Sequence, residues 1–211
     1  RRVDYGETSQ IATFVVPDSG LPSFMAKGAK RAPKKGIKRG FNLLCRYRLK
    51  FGSGRAGSLR NLLDWQLVED FRGLRRGLAR ILHAYAAAEL MLNFTVEEQP
   101  CPRLYSAFRT TLRRLAGGRD PGLSLLLLEV ETLRHDGTLP QFTSCAGCGA
   151  KVGGRDTVLF SALEGGPLCR ACGRDRRDRA GNIRIRAGHL QIAERLAHRP
   201  ELAEGPLKLT D

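Results

Sequence analysis

Cys145-Ala146-Gly147-Cys148 is answered, after a gap of 20 residues, by Cys169-Arg170-Ala171-Cys172, and two C-x-x-C pairs at that separation have the spacing of a four-thiolate metal site. A two-residue gap lets one tight turn aim two sulfurs at a single ion, and a second turn completes a tetrahedron with bonds of ~2.3 Å. Gly147, Gly149, Gly173 and the Gly165-Gly166 pair supply backbone able to turn at and between the two knuckles. Disulfides and a redox C-x-x-C compete for the same residues. No secretory segment is recognised and neither pair sits in a βαβ pattern, so the expectation is one structural zinc ion held by Cys145, Cys148, Cys169 and Cys172. Four cysteines fill the coordination sphere and leave no position for a water to be activated, so the metal is expected to hold fold and not to do chemistry.

In 211 residues, 42% hydrophobic content is enough for a sizeable core. No window approaches the ~18 uninterrupted apolar residues of a membrane span. The best run, Ile81 to Phe94, is interrupted by His83 and Glu89. Cys45 and Cys101 lie in apolar patterns that suit reduced, buried thiols, and the expected compartment is the cytoplasm.

The net charge of +15 is unevenly spread. Between Ser19 and Leu63 stand twelve Lys or Arg residues and no Asp or Glu, whereas the rest of the chain carries 24 basic against 21 acidic side chains, or +3. Such a tract is a polyanion footprint. Membrane headgroups are the competing partner, but the tract has strand periodicity and no amphipathic helix, which favours nucleic acid.

The chain opens at Arg1-Arg2-Val3 without a methionine, which leads us to expect a truncated first strand. Ser9 to Val16 is β-prone, and the turn Pro17-Asp18-Ser19-Gly20 hands over to Leu21 to Ala26, a hairpin in which Pro22 makes the second strand start late or lie at an edge. Lys27 to Gly40 contains no buriable cluster and is expected to be an exposed loop carrying Lys27, Lys30, Arg31, Lys34, Lys35, Lys38 and Arg39. A solvated charge run that binds nothing is the plain alternative.

Phe41 to Phe51 alternates cleanly, with Phe41, Leu43, Cys45, Tyr47, Leu49 and Phe51 on one face and Asn42, Leu44, Arg46, Arg48 and Lys50 on the other, so one side is expected in the core and the other basic. A last strand is expected around Leu59 to Val68, where Leu63, Trp65 and Leu67 alternate. Tyr47, Phe51 and Trp65 are expected in the core, with base stacking as the alternative. Short strands of this kind in residues 1–69 suit a small Greek-key barrel of the oligonucleotide-binding (OB) type, and an SH3-like barrel fits nearly as well.

At Asp70 the period changes to 3.6. Leu74, Leu78, Ile81, Leu82, Tyr85 and Leu92 form one stripe of a helix, with Arg72, Arg75, Arg76 and Arg80 opposite as further candidate DNA contacts. A second helix follows through Leu104, Tyr105, Phe108, Leu112 and Leu115, ended by Gly117-Gly118. Asp120-Pro121 caps a third, Leu123 to Leu133, apolar nearly all round and expected at the centre of a bundle. Ile183 to Ala187 suits a short strand and His189 to His198 a helix. The fold class expected is therefore α+β, with a barrel over 1–69 and a helical domain over 70–211 into which a four-cysteine zinc finger, residues 143–175, is inserted.

No catalytic constellation is visible. His83, His135, His189 and His198 are isolated, no nucleotide-binding, nucleophile-elbow or zincin motif occurs, and adjacent acids such as Glu97-Glu98 diverge in direction, so an enzyme is not expected.

Asp4-Tyr5-Gly6-Glu7-Thr8 opening a strand, Lys27-Gly28-Ala29-Lys30-Arg31 after the hairpin, the two cysteine pairs late in a helical domain, and Gly165-Gly166 before the second pair together resemble the RecO family of bacterial recombination mediators. The resemblance runs from Arg1 to about His198. It implies an OB barrel joined to a helical domain with a zinc finger. It also implies a protein that binds single- and double-stranded DNA, anneals complementary strands, and works with RecR to load RecA onto DNA coated by single-stranded DNA-binding protein in the nucleoid. The helices that the family carries beyond Pro200 are largely absent, which bears on contact with the single-stranded DNA-binding protein. A zinc-ribbon protein of the ribosome or RNA polymerase that binds RNA is the rival reading, and a pure interaction scaffold is a third.

Overall fold

The computed structural model describes residues 1–30, 40–52, 59–152, 157–174, 176 and 179–198. The chain divides into two compact units, Arg1–Leu128 and Glu129–Asp211. The fold is mixed α+β.

The first unit opens with five strands, β1 (Arg2–Tyr5), β2 (Ser9–Thr13), β3 (Ser23–Ala26), β4 (Arg46–Phe51) and β5 (Arg60–Glu69), in the sheet order β1-β2-β3-β5-β4. Neighbours run antiparallel except β3 and β5, which pair in parallel at Phe24–Arg60 and Met25–Asn61. The β1–β2 turn uses Gly6 at φ 60°, and the loop after β3 leaves through Gly28 at φ 70°, backbone that glycine adopts without a Cβ penalty. Pro22 does delay its strand, which begins at Ser23; that strand lies between β2 and β5, not at an edge. The core of this layer is Ala12, Phe24, Ala26, Ala29, Phe41 and Leu62, with Phe14, Tyr47, Leu49 and Trp65 packed against it. Phe41 meets Phe14 edge-on at 5.0 Å and lies 5.1 Å from Trp65, so aromatic rings fill most of the interior.

Two strand expectations are corrected. The strand predicted over Phe41 to Phe51 begins only at Arg46, because Leu44 sits at φ 56° and breaks the extended backbone. Leu43 is consequently exposed, and Leu44 turns to pack on the cluster of Phe71, Leu74, Ala84, Leu112 and Leu115. In β5 the register slips between Lys50–Asp64 and Phe51–Leu62, so Leu63 is an extra residue. That bulge reverses the alternation: Leu62 is buried at 7% while Leu63 is 62% exposed. Leu67 is exposed as well, and so is Phe51, although its ring lies 5.0 Å from Phe24.

A 3-10 turn, Arg72–Arg76, ends at Gly77, whose extended backbone separates it from helix α1 (Leu78–Phe94). The break resets the helical phase. The expected stripe is therefore split: Leu74 is buried and Ile81 packs beside it, whereas Leu78, Leu82, Tyr85 and Leu92 are exposed and the buried residues of α1 are Ala84, Ala87 and Met91. Small residues won this interface because they let α1 approach α2 (Pro102–Ala116) closely, where Leu104, Leu112 and Leu115 are the buried knobs. Helix α3 (Pro121–Asp136) starts as expected, with Asp120 Oδ1 accepting from the Leu123 amide at 2.7 Å. It is not apolar on every side toward a core: Ser124, Leu128, Val130 and Thr132 are buried but Leu126 is exposed.

The second unit holds a three-stranded antiparallel sheet in the order β7-β6-β8, from β6 (Thr157–Ser161), β7 (Gly166–Leu168) and β8 (Asn182–Arg186). The short helix α4 (Arg170–Arg174) and the terminal helix α5 (Ala187–His198) complete it. Strand β8 meets the expectation of a short strand over Ile183 to Ala187, shifted by one residue.

Candidate metal centre and nucleic-acid interface

The four cysteines converge. Their sulfurs all lie within 4.8 Å of one another, and Cys148 Sγ is 3.7 Å from Cys169 Sγ. Tetrahedral thiolate coordination with bonds of ~2.3 Å puts neighbouring sulfurs about 3.8 Å apart, so the residues fit a four-thiolate ion. Local backbone explains the convergence. The first knuckle closes with Gly149 donating to the Cys145 carbonyl at 2.8 Å, the second with Gly173 donating to the Cys169 carbonyl at 2.8 Å. The two knuckles are tied by Ala146 donating to the Pro167 carbonyl at 2.8 Å. Glycine at 147 leaves room for the second knuckle, since a Cβ there would stand 3.3 Å from the Cys172 sulfur and 2.9 Å from the movable guanidinium of Arg176.

Amide N–H groups point at the sulfurs as they do at thiolates. The Cys169 amide donates to Cys145 Sγ at 3.2 Å and the Cys172 amide to Cys169 Sγ at 3.5 Å. Burial pushes the Cys145 thiol up, but donation from the amides of Cys169, Gly147 and Cys148 outweighs it and brings the thiol down to about 6. Donation from the Cys172 amide likewise lowers Cys169, while hydrogen bonding to the Cys169 and Cys148 sulfurs pushes Cys172 up to about 12. Gathering four thiols so closely thus raises the cost of ionising Cys172, a cost that a bound cation removes. By contrast, burial raises the thiols of Cys45 and Cys101; Cys101 is buried as expected, whereas Cys45 is only half-buried.

Of the basic residues singled out in the sequence, Arg31, Lys34, Lys35, Lys38 and Arg39 lie outside the described residues. Lys27 is exposed. Lys30 pairs with Asp4 at 3.0 Å, and Gln10 also donates to that carboxylate at 3.0 Å; the Gln10 and Lys30 hydrogen bonds hold Asp4 below its ordinary value. On β4, Arg48 and Lys50 point to solvent, on the face opposite Tyr47 and Leu49, as the alternation predicts.

The four arginines expected along one helix face are not a row. Arg72, Arg75 and Arg76 belong to the 3-10 turn and Arg80 to α1, with Gly77 between. Arg72 is paired with Asp70 at 2.6 Å, Arg75 donates to the Asp70 carbonyl at 3.2 Å, and Arg80 reaches the Gly73 carbonyl at 3.5 Å. Arg72, Arg75 and Arg80 thus each direct one side-chain donor to the turn itself.

Two residues were missed. Arg109 and Arg113 on α2 approach Glu69 at 3.2 and 2.7 Å, with Arg46 at 3.8 Å from the same carboxylate. Partial burial pushes the Glu69 carboxyl up, but donation from Arg113 and Arg109 outweighs it and leaves it below its ordinary value. Their i,i+4 spacing was visible in the sequence as one helical row; their partner, forty residues upstream, was not. Arg46 and Arg109 also edge an open, largely apolar hollow of about 650 Å3 walled by Phe14, Tyr47 and Leu49 on one side and Tyr85 and Phe108 on the other. Tyr47 therefore packs on the core while keeping one edge accessible.

Among the described residues, no helix is long and apolar enough to cross a membrane. The family model described as recombination protein O N terminal matches residues 1–71, and that described as recombination protein O C terminal matches residues 75–203. The chain is 35% identical over 175 residues to the DNA repair protein RecO of Anaeromyxobacter sp. (strain K), covering 82% of this chain and 67% of that protein. It is 31% identical over 171 residues to the protein of that name from Myxococcus xanthus (strain DK1622), covering 81% and 68%, and 32% identical over 176 residues to that from Bacillus pumilus (strain SAFR-032), covering 82% and 65%. The chain spans about two thirds of the length of these relatives.

Proposed function

The chain belongs to the recombination protein O family, the family of the DNA repair proteins RecO, and from that premise we propose that it is a non-catalytic DNA-binding protein of repair and homologous recombination. It binds single- and double-stranded DNA, anneals complementary strands, and helps RecR load RecA in the cytoplasm. The observation that carries this reading is the charge distribution: twelve cations and no carboxylate between Ser19 and Leu63, with Arg48 and Lys50 facing solvent on the outer side of β4. Phosphate neutralisation with counterion release supplies affinity without base specificity. Two strands bound to one cationic face repel each other less, and base pairing then selects the register.

The five strands serve this role as a partly open barrel of the OB type. Its support is the five-stranded order with a single parallel pair, β3 with β5, and an aromatic interior. The domain limits are 1–69 for the barrel and 70–211 for the rest. The metal is zinc, held by Cys145, Cys148, Cys169 and Cys172; when bound it supplies fixed charge and folding energy. Among the partners we include RecR and the single-stranded DNA-binding protein.

Annealing of complementary oligonucleotides, bare and coated with single-stranded DNA-binding protein, tests the function. Arg48→Ala/Lys50→Ala should slow annealing and lower the salt slope of single-strand binding by about 1, from ~0.7 counterion per phosphate contact. No acceleration of annealing by the intact chain would overturn the reading. Equal affinity for matched RNA and DNA strands would shift it to RNA.

A further inference from the structure

The second unit carries an open hollow of about 840 Å3 beside the cysteine cluster, floored by Leu159 and Leu168 and ringed by Lys151, Arg170, Arg174 and Arg184. All four cations are exposed, and none pairs with a carboxylate among the described residues; the nearby Arg176, in contrast, is bound to Glu164 at 2.9 Å. Their convergence follows from the fold. Gly173 lets α4 lie on the sheet, where a Cβ would stand 3.3 Å from Leu159, and Arg184 is paired with Leu159 across β6 and β8. Arg170 and Arg174 on α4 and Arg184 on β8 are thereby brought to the same hollow. The near-neutral balance of the chain outside Ser19–Leu63 hides this, since between Cys169 and Ala187 seven arginines stand against two aspartates.

We propose that this hollow is a second nucleic-acid site, separate from the N-terminal sheet, which takes the phosphates of a DNA backbone. The choice of ligand follows from the lining. Among the described lining residues there are cations and no carboxylate, which selects polyanions, three of the four cations are arginines with the planar fork that suits phosphate oxygens, and no aromatic ring stands among them to stack a base. The proposal rests on the DNA-binding reading above and extends it. A chain with one backbone site in each unit holds two strands, or two stretches of one strand, at once.

The test uses the full zinc-loaded chain and an oligothymidylate. Bound oligothymidylate should protect Lys151 from acetylation, whereas inorganic phosphate at matched phosphorus concentration should not. Lys151→Ala/Arg174→Ala/Arg184→Ala should keep its metal and lower the salt slope by about 2, at ~0.7 counterion for each of three lost contacts. Arg184→Glu, placed on β8 away from the cysteines, should weaken binding even if the triple variant loses its metal. Undiminished acetylation of Lys151 together with wild-type affinity in Arg184→Glu would overturn the second site while leaving binding by Arg48 and Lys50 intact. Protection by inorganic phosphate alone would make it a single-anion pocket and also overturn the proposal. Failure of the intact chain to bind oligothymidylate at all would remove both readings.

Discussion

The backbone N–H of Cys169 donates to the sulfur of Cys145 at 3.2 Å, across 24 residues of chain. The second knuckle therefore helps charge the first, which is not complete alone. One zinc per chain is expected, and Cys148→Ser should release it and unfold the region around β6, β7 and α4 while the N-terminal sheet stays folded, because the folding energy of such a module is largely metal-binding energy. Metal analysis with thiol titration decides it: absent metal and four freely reactive thiols in the pure protein would refute the assignment.

Gly20 and Gly6 both have positive φ, at 66° and 60°, yet their surroundings differ completely. A Cβ on Gly20 would stand 1.8 Å from the Val96 carbonyl oxygen, where the hairpin turn is stitched to the α1–α2 loop by Glu98 N donating to Ser19 O at 3.0 Å and Cys101 N to Pro17 O at 2.7 Å. On Gly6 it would meet nothing. Gly20→Ala should cost at least about 2 kcal/mol, overpacking added to left-handed strain, and Gly6→Ala about 1 kcal/mol from the backbone alone. Chemical denaturation of the two variants measures the difference, and equal losses would mean the stitching contributes nothing.

Glu69 gives the first unit a defined acid sensitivity. Its carboxyl is held below the ordinary 4.5 by Arg113 and Arg109, so the ion pairs stabilise the fold fully above that value and fade as pH falls through the depressed one. Glu69→Gln should lower stability at neutral pH by about 1 kcal/mol, a surface-scale figure because Arg113 is half exposed. The difference between wild type and variant should shrink on acidification below 4.5. A gap that stays constant from neutral to acid pH would show that the carboxylate is not the group responsible.

Trp65 is the sole tryptophan and packs on Phe41 at 5.1 Å from a strand whose neighbours Leu63 and Leu67 are exposed. Its fluorescence should be quenched by acrylamide more slowly than free tryptophan, and single-stranded DNA should change it little, since the ring belongs to the core. Strong quenching by DNA would instead assign it to base stacking.

Sequence patterning located what local spacing controls. The knuckles, the hairpin around Pro17–Gly20, the Asp120 cap and the basic face of β4 were legible because each depends on residues a few positions apart. Several failures have a local origin. Leu44, Leu63 and Gly77 each interrupt a regular period, by a left-handed residue, a bulge and an extended break, and residues next to the interruption, such as Leu43 and Leu63, turn outward. The apolar stripe leading into α1 was only half right because its large side chains were all grouped together, whereas Ala84 and Ala87 were buried for their smallness. Arg109 and Arg113 escaped notice because their role depends on Glu69, which only tertiary structure brings to them. The arginines around Leu159 were hidden by averaging charge over too long a stretch.

The parallel pairing of β3 with β5 has a kinetic side. The antiparallel ladders of β1, β2 and β3 join residues close in sequence and need only short loops to close, but β3 cannot receive β5 until the thirty-odd residues between Ala26 and Arg60, including β4 and the cationic tract, have been gathered into a loop. Closing that loop costs entropy before any contact repays it, so sheet completion is the slow step of the first unit. While the ribosome is still supplying that stretch, Phe24 and Met25 wait on an unpaired edge, and the crowd of positive charge that follows them keeps such half-made chains apart.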